Sequence, residues 1–332
     1  MPPTYDLLAI GNAIVDVISH ASDDFLIRHD LKKDSMQLVE PARADELYAA
    51  MGPTIETSGG SAANTAVGVA ALGGRAGFIG KVRDDQLGGV FAHDIRAAGV
   101  DFDVPPATHG PPTARSLILV TPDAHRTMNT SLGIAGSITS NDIDPARVSD
   151  ASITYCEGYL WDMEPTKAAI RKAMKITREA GNKVALTLSD GFCVERHRDE
   201  FRELVIDSVD IVFANEAEIC SLYEVEHFDD ALQKVRAECE LAFLTRSAAG
   251  AVVVRGDQVH VVSAQPQGPV VDTTGAGDQF AAGALYGLVV GCDLASAARL
   301  GSLCAGEVIA HVGPRPQADL RELAAPLLPG GE

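Results

Sequence analysis

Positive charge is what this chain has least of: its 332 residues carry 27 Lys and Arg against 46 Asp and Glu, a net charge of −19. A nucleic-acid binder needs a basic footprint to displace counterions, so that class is excluded. An anionic substrate must be met by local positive groups, because the overall field repels it. Cysteine is sparse as well. The six, at 156, 193, 220, 239, 292 and 304, form no Cys-x-x-Cys pair and no Cys/His spacing suited to zinc. Most lie in apolar segments such as Ser302-Leu303-Cys304-Ala305, as expected of reduced, buried thiols. No apolar run reaches the roughly 18–20 residues that span a bilayer. The opening Met1-Pro2-Pro3-Thr4-Tyr5-Asp6 has neither the basic nor the apolar part of a signal peptide. A soluble, cytoplasmic protein with no membrane partner is expected. No Gly-x-x-x-x-Gly-Lys-Ser/Thr sequence occurs, which excludes a P-loop enzyme, and the protein-kinase motif set is also missing. Repeats, low-complexity segments and an interdomain linker are absent too.

What is present is an ordinary globular composition, 46% hydrophobic and 22% charged. Short apolar runs alternate with helical segments. Leu7–Ile10 and Ile14–Ile18 read as strands around a Gly11-Asn12 break, and Ala62–Leu72 and Leu87–Ala97 as helices. Strands around Ile153–Tyr155, Val184–Leu188, Ile211–Ala214 and Ala242–Thr245 are separated by helices of about 11–15 residues. That pattern indicates a buried, largely parallel sheet in an α/β domain. Gly256-Asp257 turns a hairpin between 251–254 and 259–262, and two helices follow, about Gly277–Val290 and Leu294–His311.

The most informative segment is Val271-Asp272-Thr273-Thr274-Gly275-Ala276-Gly277-Asp278, directly before a helix-ready run. Gly275, Ala276 and Gly277 let backbone approach a charged ligand, and the unpaired N–H groups opening the helix favour phosphate. Asp278 then sits beside that anion. A carboxylate is a poor partner for phosphate unless it handles a proton, so the arrangement points to phosphoryl transfer onto a hydroxyl. The alternative is an ordinary Gly-rich loop with a helix-favouring acid. A second stretch, Ser58-Gly59-Gly60-Ser61-Ala62-Ala63-Asn64, also allows close backbone approach, with Asn64 one turn into a helix. The donor and acceptor of Asn64 suit a vicinal pair of hydroxyls, and Asp16 could accept from the same pair or simply be a turn acid. In a doubly wound sheet, ligands bind beyond the carboxyl ends of the strands. Ser189-Asp190, Asn215-Glu216-Ala217-Glu218 and Thr245-Arg246-Ser247 all follow strand ends.

These residues resemble the ribokinase-like (PfkB) family of carbohydrate and nucleoside kinases. The two Gly-rich signatures stand in the family's order, and the resemblance extends through Gly77-Phe78-Ile79-Gly80 and Asn215–Glu218 to essentially the whole chain. It implies a single domain over 1–332: a central, mostly parallel sheet flanked by helices, with a small β lid from about 12–58 and 108–131. It implies ATP and Mg²⁺ as cofactors. Asp278 becomes the base, with Gly275, Ala276 and Gly277 as the anion hole and Asp272 and Thr273 on the ATP side. Asn215 and Glu218 organise Mg²⁺ and phosphate, often through water. Thr245, Arg246 and Gly250 resemble the family's loop against the nucleotide. Arg126 resembles an arginine that reaches the phosphates from the lid, with a solvated surface arginine as the alternative. Potassium activation is a family trait whose ligands, largely backbone carbonyls, sequence does not reveal.

Within the family, several segments look more like adenosine kinases than sugar kinases. Gly11-Asn12-Ala13-Ile14-Val15-Asp16 resembles their opening strand, where Asn12 and Asp16 would hold the ribose. Asp34-Ser35-Met36-Gln37-Leu38-Val39-Glu40 resembles their lid segment, which would bring Met36 over the base. Gly59, Gly60, Ser61 and Asn64 complete the acceptor side. Gly158-Tyr159-Leu160-Trp161 resembles a segment whose ring stacks on the base. Leu160 replaces an expected second aromatic, leaving Tyr159 or Trp161 as the stacker and core packing as the alternative for the only Trp. Ala62-Ala63 departs toward the sugar-kinase version. The resemblance therefore implies transfer to a nucleoside 5′-hydroxyl, adenosine foremost. A sugar kinase of ribose, fructose or 2-keto-3-deoxygluconate type is the first alternative, and a silent nucleoside-binding protein is the second. Monomer and homodimer both stay open.

Overall fold

The structure, a computed structural model, describes residues 3–33, 35–123 and 125–330. Asp34, in the expected lid segment, and the opening Met1-Pro2 lie outside the described residues. Thirteen strands follow in chain order: β1 (Tyr5–Ile10), β2 (Ile14–His20), β3 (Met36–Leu38), β4 (Ile55–Gly59), β5 (Ala76–Ile79), β6 (Ala114–Val120), β7 (Arg126–Ser131), β8 (Ala151–Glu157), β9 (Lys183–Thr187), β10 (Ile211–Asn215), β11 (Leu241–Thr245), β12 (Ala251–Arg255) and β13 (Gln258–Val262). They form an eight-stranded sheet ordered β13-β12-β11-β10-β9-β8-β1-β5 and a five-stranded sheet ordered β3-β7-β6-β2-β4.

From β5 through β11 the large sheet is parallel, and the β12–β13 hairpin adds an antiparallel edge. Its central strands are mainly apolar because both of their faces are covered, whereas the edge strand β13 is largely exposed. In β1, Leu7 and Ala9 enter one core cluster while Leu8 and Ile10 enter the other. On the first face an aromatic series carries the helix Ala276–Val289 onto the sheet. Phe213 stacks on Phe243 at 5.1 Å between ring centres, and Phe243 meets Phe280 edge-on at 6.2 Å. The helices Glu164–Glu179 and Gly191–Asp207 cover the other face.

The helix Ser61–Ala71 is built almost wholly of small residues and is buried along most of its length. It packs against Ala276–Val289, and Gln279 Nε2 fastens the two by donating to the Asn64 carbonyl at 3.0 Å. Both helices begin at the same edge of the molecule, so the two Gly-rich signatures converge there.

The second sheet is joined to the first at the Gly11-Asn12 break and at Gly60. Gly60 has φ +100°, and a Cβ there would overlap the Asn12 carbonyl oxygen, so only glycine closes this crossing. Strand order reverses around β1, which lies between β5 and β8. The crevice beyond the carboxyl end of that strand is where such sheets bind ligands.

Candidate active site

The ends of five parallel strands and the starts of two helices enclose the site. Asp278 occupies the first turn of Ala276–Val289, whose N-cap, Gly275, is left-handed at φ +78°. A Cβ on Gly275 would collide with Pro314, whereas nothing approaches within 4 Å of the place where Gly277 would carry one. The loop is therefore closed behind and open in front, a cradle of amide donors at a positive helix end.

The Asp278 carboxylate is held from the other signature. Ser61 Oγ donates to Oδ1 at 2.6 Å and Asn64 Nδ2 donates to Oδ2 at 3.1 Å. Burial pushes its pKa upward, and these two donors offset part of that by favouring the charged form. Asn64 differs from expectation here. Its amide does not stand free to grip two hydroxyls, because Nδ2 faces Asp278 and Oδ1 accepts from Arg315 Nε at 3.4 Å.

Asp16 lies on β2 beside Ser116 and Thr57, on the face of the second sheet that also carries Arg126. Burial raises its pKa to about 7; Arg315 and Arg126 pull it down and Asp278 pushes it up. Arg126 pairs with Asp272 at 2.9 Å and reaches Thr274 Oγ1 at 3.4 Å, so it joins the second sheet to the Gly-rich loop before Asp278. Asp272 is a correction to the expected ATP contact. Its carboxylate turns inward, accepting from Thr274 N at 3.1 Å, Thr274 Oγ1 at 2.7 Å and Gly313 N at 2.8 Å, and it shapes the loop. Thr273 is exposed beside it.

Trp161 is the second correction. A 3-10 turn at Gly158–Asp162 sends Tyr159 and Trp161 to different sides. Trp161 is 0% exposed, packs on Phe201 at 5.9 Å, donates from Nε1 to Glu200 Oε2 at 3.0 Å and lies under Arg171. No ring face is left for a ligand. Tyr159 is partly buried, with its hydroxyl on the Ser189 carbonyl at 3.2 Å. Burial raises its pKa well above the usual range, and the charges of Asp190, Asp278 and Glu218 add to this.

Asn215 and Glu218 form a reciprocal capping box. Asn215 N and Nδ2 donate to Glu218 at 2.9 and 2.6 Å, and Glu218 N donates back to Asn215 Oδ1 at 2.9 Å. Burial raises the Glu218 pKa to about 7. Among the described residues no group of three or more His, Cys, Asp or Glu could hold a metal ion. This donor set does not fit an all-protein cage, but Asn215 and Glu218 would fit a Mg²⁺ brought in with phosphate, supplying a carboxylate and an amide beside its charge. Arg246, expected on the nucleotide side, pairs with Glu216 through two contacts of 3.2 Å and lies 4.2 Å over the Phe228 ring. Thr245 ends β11 next to it, and Gly250 closes that loop.

Two charged residues escaped the sequence reading. Glu157 ends β8 at 1% exposure and accepts from Asn12 N, Asn12 Nδ2 and Ala62 N. Arg315 donates to Ser58 Oγ at 2.8 Å and approaches Asn64, and burial lowers its pKa against the opposing pull of Asp16 and Asp94. An acid closing an apolar strand just before Gly158 was a signal for the first. Arg315 belongs to no motif.

No helix among the described residues is long and apolar enough to cross a membrane. The chain is similar over 97% of its length, and 98% of the other's, to the solved structure of adenosine kinase from Sinorhizobium meliloti, at 51% identity and TM-score 0.90. It is equally similar to a probable sugar kinase from Rhizobium etli, at 48% identity and TM-score 0.92, covering 98% of this chain and all of that one. Adenosine kinase of Saccharomyces cerevisiae is 26% identical over 94% of this chain and 96% of its own length. Residues 30–320 match the profile of the pfkB family carbohydrate kinases. The chain belongs to that family, and it is a kinase of nucleosides or sugars.

Proposed function

We propose that the chain transfers the γ-phosphoryl group of ATP to the primary 5′-hydroxyl of a nucleoside, adenosine foremost. The observation that carries the acceptor class is the grading of one face of the second sheet, which we read as a lid. Register puts Thr57, Asp16, Ser116 and Thr130 in one row across β4, β2, β6 and β7, and Ser116 and Thr130 share a hydrogen bond of 2.9 Å. The next row outward is apolar: Ile55, Ile18, Ile118, Met128 and, on β3, Met36. Met36 is 45% exposed and Ile55 70%, Ile18 and Met128 are half-buried and Ile118 is buried, so the strip is open at its two ends. A free sugar offers hydroxyls all round. A nucleoside offers a polyol beside a flat, weakly polar heterocycle, which suits a polar row followed by an apolar one.

In this reading Asp16 and Asn12 accept from the ribose hydroxyls, and the 5′-oxygen lies between Asp278 and the anion loop. Phosphoryl transfer asks for positioning and charge neutralisation more than covalent help. An ordinary aspartate, near pKa 3.9, is too weak to ionise an alcohol in the ground state. Asp278 therefore takes the proton late, as the oxygen–phosphorus bond forms. Burial strengthens it as a base, while Ser61 and Asn64 keep it aimed. The amides of Gly275, Ala276 and Gly277 meet the migrating group, and Arg126 reaches it from the lid. Mg²⁺, when bound with ATP, neutralises phosphate charge.

A sugar acceptor is the second reading, favoured by the small Ala62-Ala63 pair behind the acceptor side and by the likeness to a probable sugar kinase. Thermal-shift and ATP-turnover panels over nucleosides and sugars separate the two. A ligand at 100 times its Kd stabilises by about 2.7 kcal/mol, easily seen as a melting shift. Nucleosides, adenosine first, are expected to shift the protein and be turned over. Turnover confined to free sugars would assign the site to the second reading.

A further inference from the structure

We infer that Glu157 is a positioning residue for the acceptor, acting by fixing the amide of Asn12 rather than by touching substrate. It rests on the reading above of Asn12 as an acceptor-side residue. Glu157 is 1% exposed, and its oxygens are met by three protein donors: Asn12 N at 2.7 Å, Asn12 Nδ2 at 2.6 Å and Ala62 N at 2.9 Å. Those donors lie on the two segments that join the sheets, the Gly11-Asn12 break after β1 and the start of Ser61–Ala71 after β4. One carboxylate therefore ties the main sheet to both crossings. Gly11 leaves it the room, since a Cβ there would overlap Glu157 Oε2.

The consequence falls on Asn12. Because Nδ2 is spent on Glu157, the amide has one orientation, and Oδ1 is buried with no hydrogen-bond partner among the described residues. An unpaired buried carbonyl oxygen has lost its water without replacement. A hydroxyl donor of the acceptor supplies the missing partner. Without Glu157 the amide would be free to rotate and present N–H groups where an acceptor atom is needed.

The test uses the full-length protein, Glu157→Gln and Asn12→Ala singly and together, with whichever nucleoside or sugar the unmodified protein phosphorylates fastest. Glutamine keeps the volume but cannot receive all three donors. Glu157→Gln should raise the acceptor KM at least tenfold and leave the ATP KM within twofold. The double variant should lie within about threefold of the worse single variant, because both act through one amide. Unchanged acceptor KM, or effects that multiply, would overturn the inference. Hydrogen exchange of the acceptor-free protein adds a readout independent of turnover: the Asn12 and Ala62 amides should lose protection in Glu157→Gln, and unchanged protection also overturns it. If the fastest acceptor proves to be a sugar, the nucleoside reading falls while this cycle stays interpretable.

Discussion

Ser61 and Asp278, 217 positions apart in the chain, share a hydrogen bond of 2.6 Å that joins the two Gly-rich signatures at one carboxylate. Each signature opens a helix, and the helices pack along their small residues, so the bond is set by the fold. Ser61→Ala removes a donor that favours the charged carboxylate. The Asp278 pKa, already raised by burial, should rise further. The acid limb of the kcat profile should therefore move to higher pH, with the plateau down less than about tenfold. A pH–rate profile of the two proteins checks this; an unmoved limb would separate Ser61 from the base.

Ionised, Asp16 offers both oxygens to hydroxyls, whereas protonated it turns one of them into a donor, and burial raises its pKa to about 7. The kcat/KM for acceptor should fall as pH drops below about 7, and Asp16→Asn should abolish that dependence. Asp16→Ala should weaken acceptor binding by about 1.5–3 kcal/mol, at least tenfold, and ATP binding far less. Equal effects on both substrates would contradict the assignment.

The same carboxyl bears on stability. Its folded pKa is raised, so the folded state holds the proton more tightly than the unfolded one. That contribution is fully present below about pH 4 and is lost as pH rises toward about 7. Asp16→Asn carries no charge to bury. Its stability relative to the parent should grow across that window, by on the order of 4 kcal/mol. Denaturant melts at pH 3.5 and pH 8 bracket the window and measure this, and a difference that shrinks with pH would refute it.

Trp161 and Tyr159 should part company. Trp161→Ala should cost about 3–5 kcal/mol of stability through the cavity it leaves, while acceptor affinity of the folded protein stays the same. Tyr159→Ala should act on turnover through the Asp278 side of the crevice, with smaller structural cost. Titrations of both variants with adenosine test the split; a large affinity loss confined to Trp161→Ala would restore it as a stacking residue.

The parts of the molecule legible in the sequence were those with a period or a local motif. The strands of the large sheet are apolar runs between turns, and the glycines mark each signature without a partner. The β13 edge, the hairpin and the two late helices fall within a few residues of where patterning put them. The short strands β3, β4 and β7 carry Thr, Ser and exposed apolar residues, so alternation alone does not define them. Asn64 was recognised, but its commitment to Asp278 and Arg315 comes from segments 214 and 251 positions away. Tyr159 and Trp161 stay alternatives in the sequence for a local reason: the phase of a 3-10 turn decides between crevice and core, and here it sends Trp161 to the core. Glu157 closes an apolar strand before Gly158, a faint signal, whereas Arg315 acts through burial and convergence, which composition and spacing do not encode.

The most direct test of the account is the rate of ADP formation by Asp278→Asn at saturating ATP and adenosine, beside the acceptor Kd of the same variant. Asp278→Asn should lose about 10²–10⁴ in kcat, the span of general-base catalysis, with Kd within a few fold of the parent. A variant that turns over within tenfold of the parent would contradict the claim that Asp278 takes the proton.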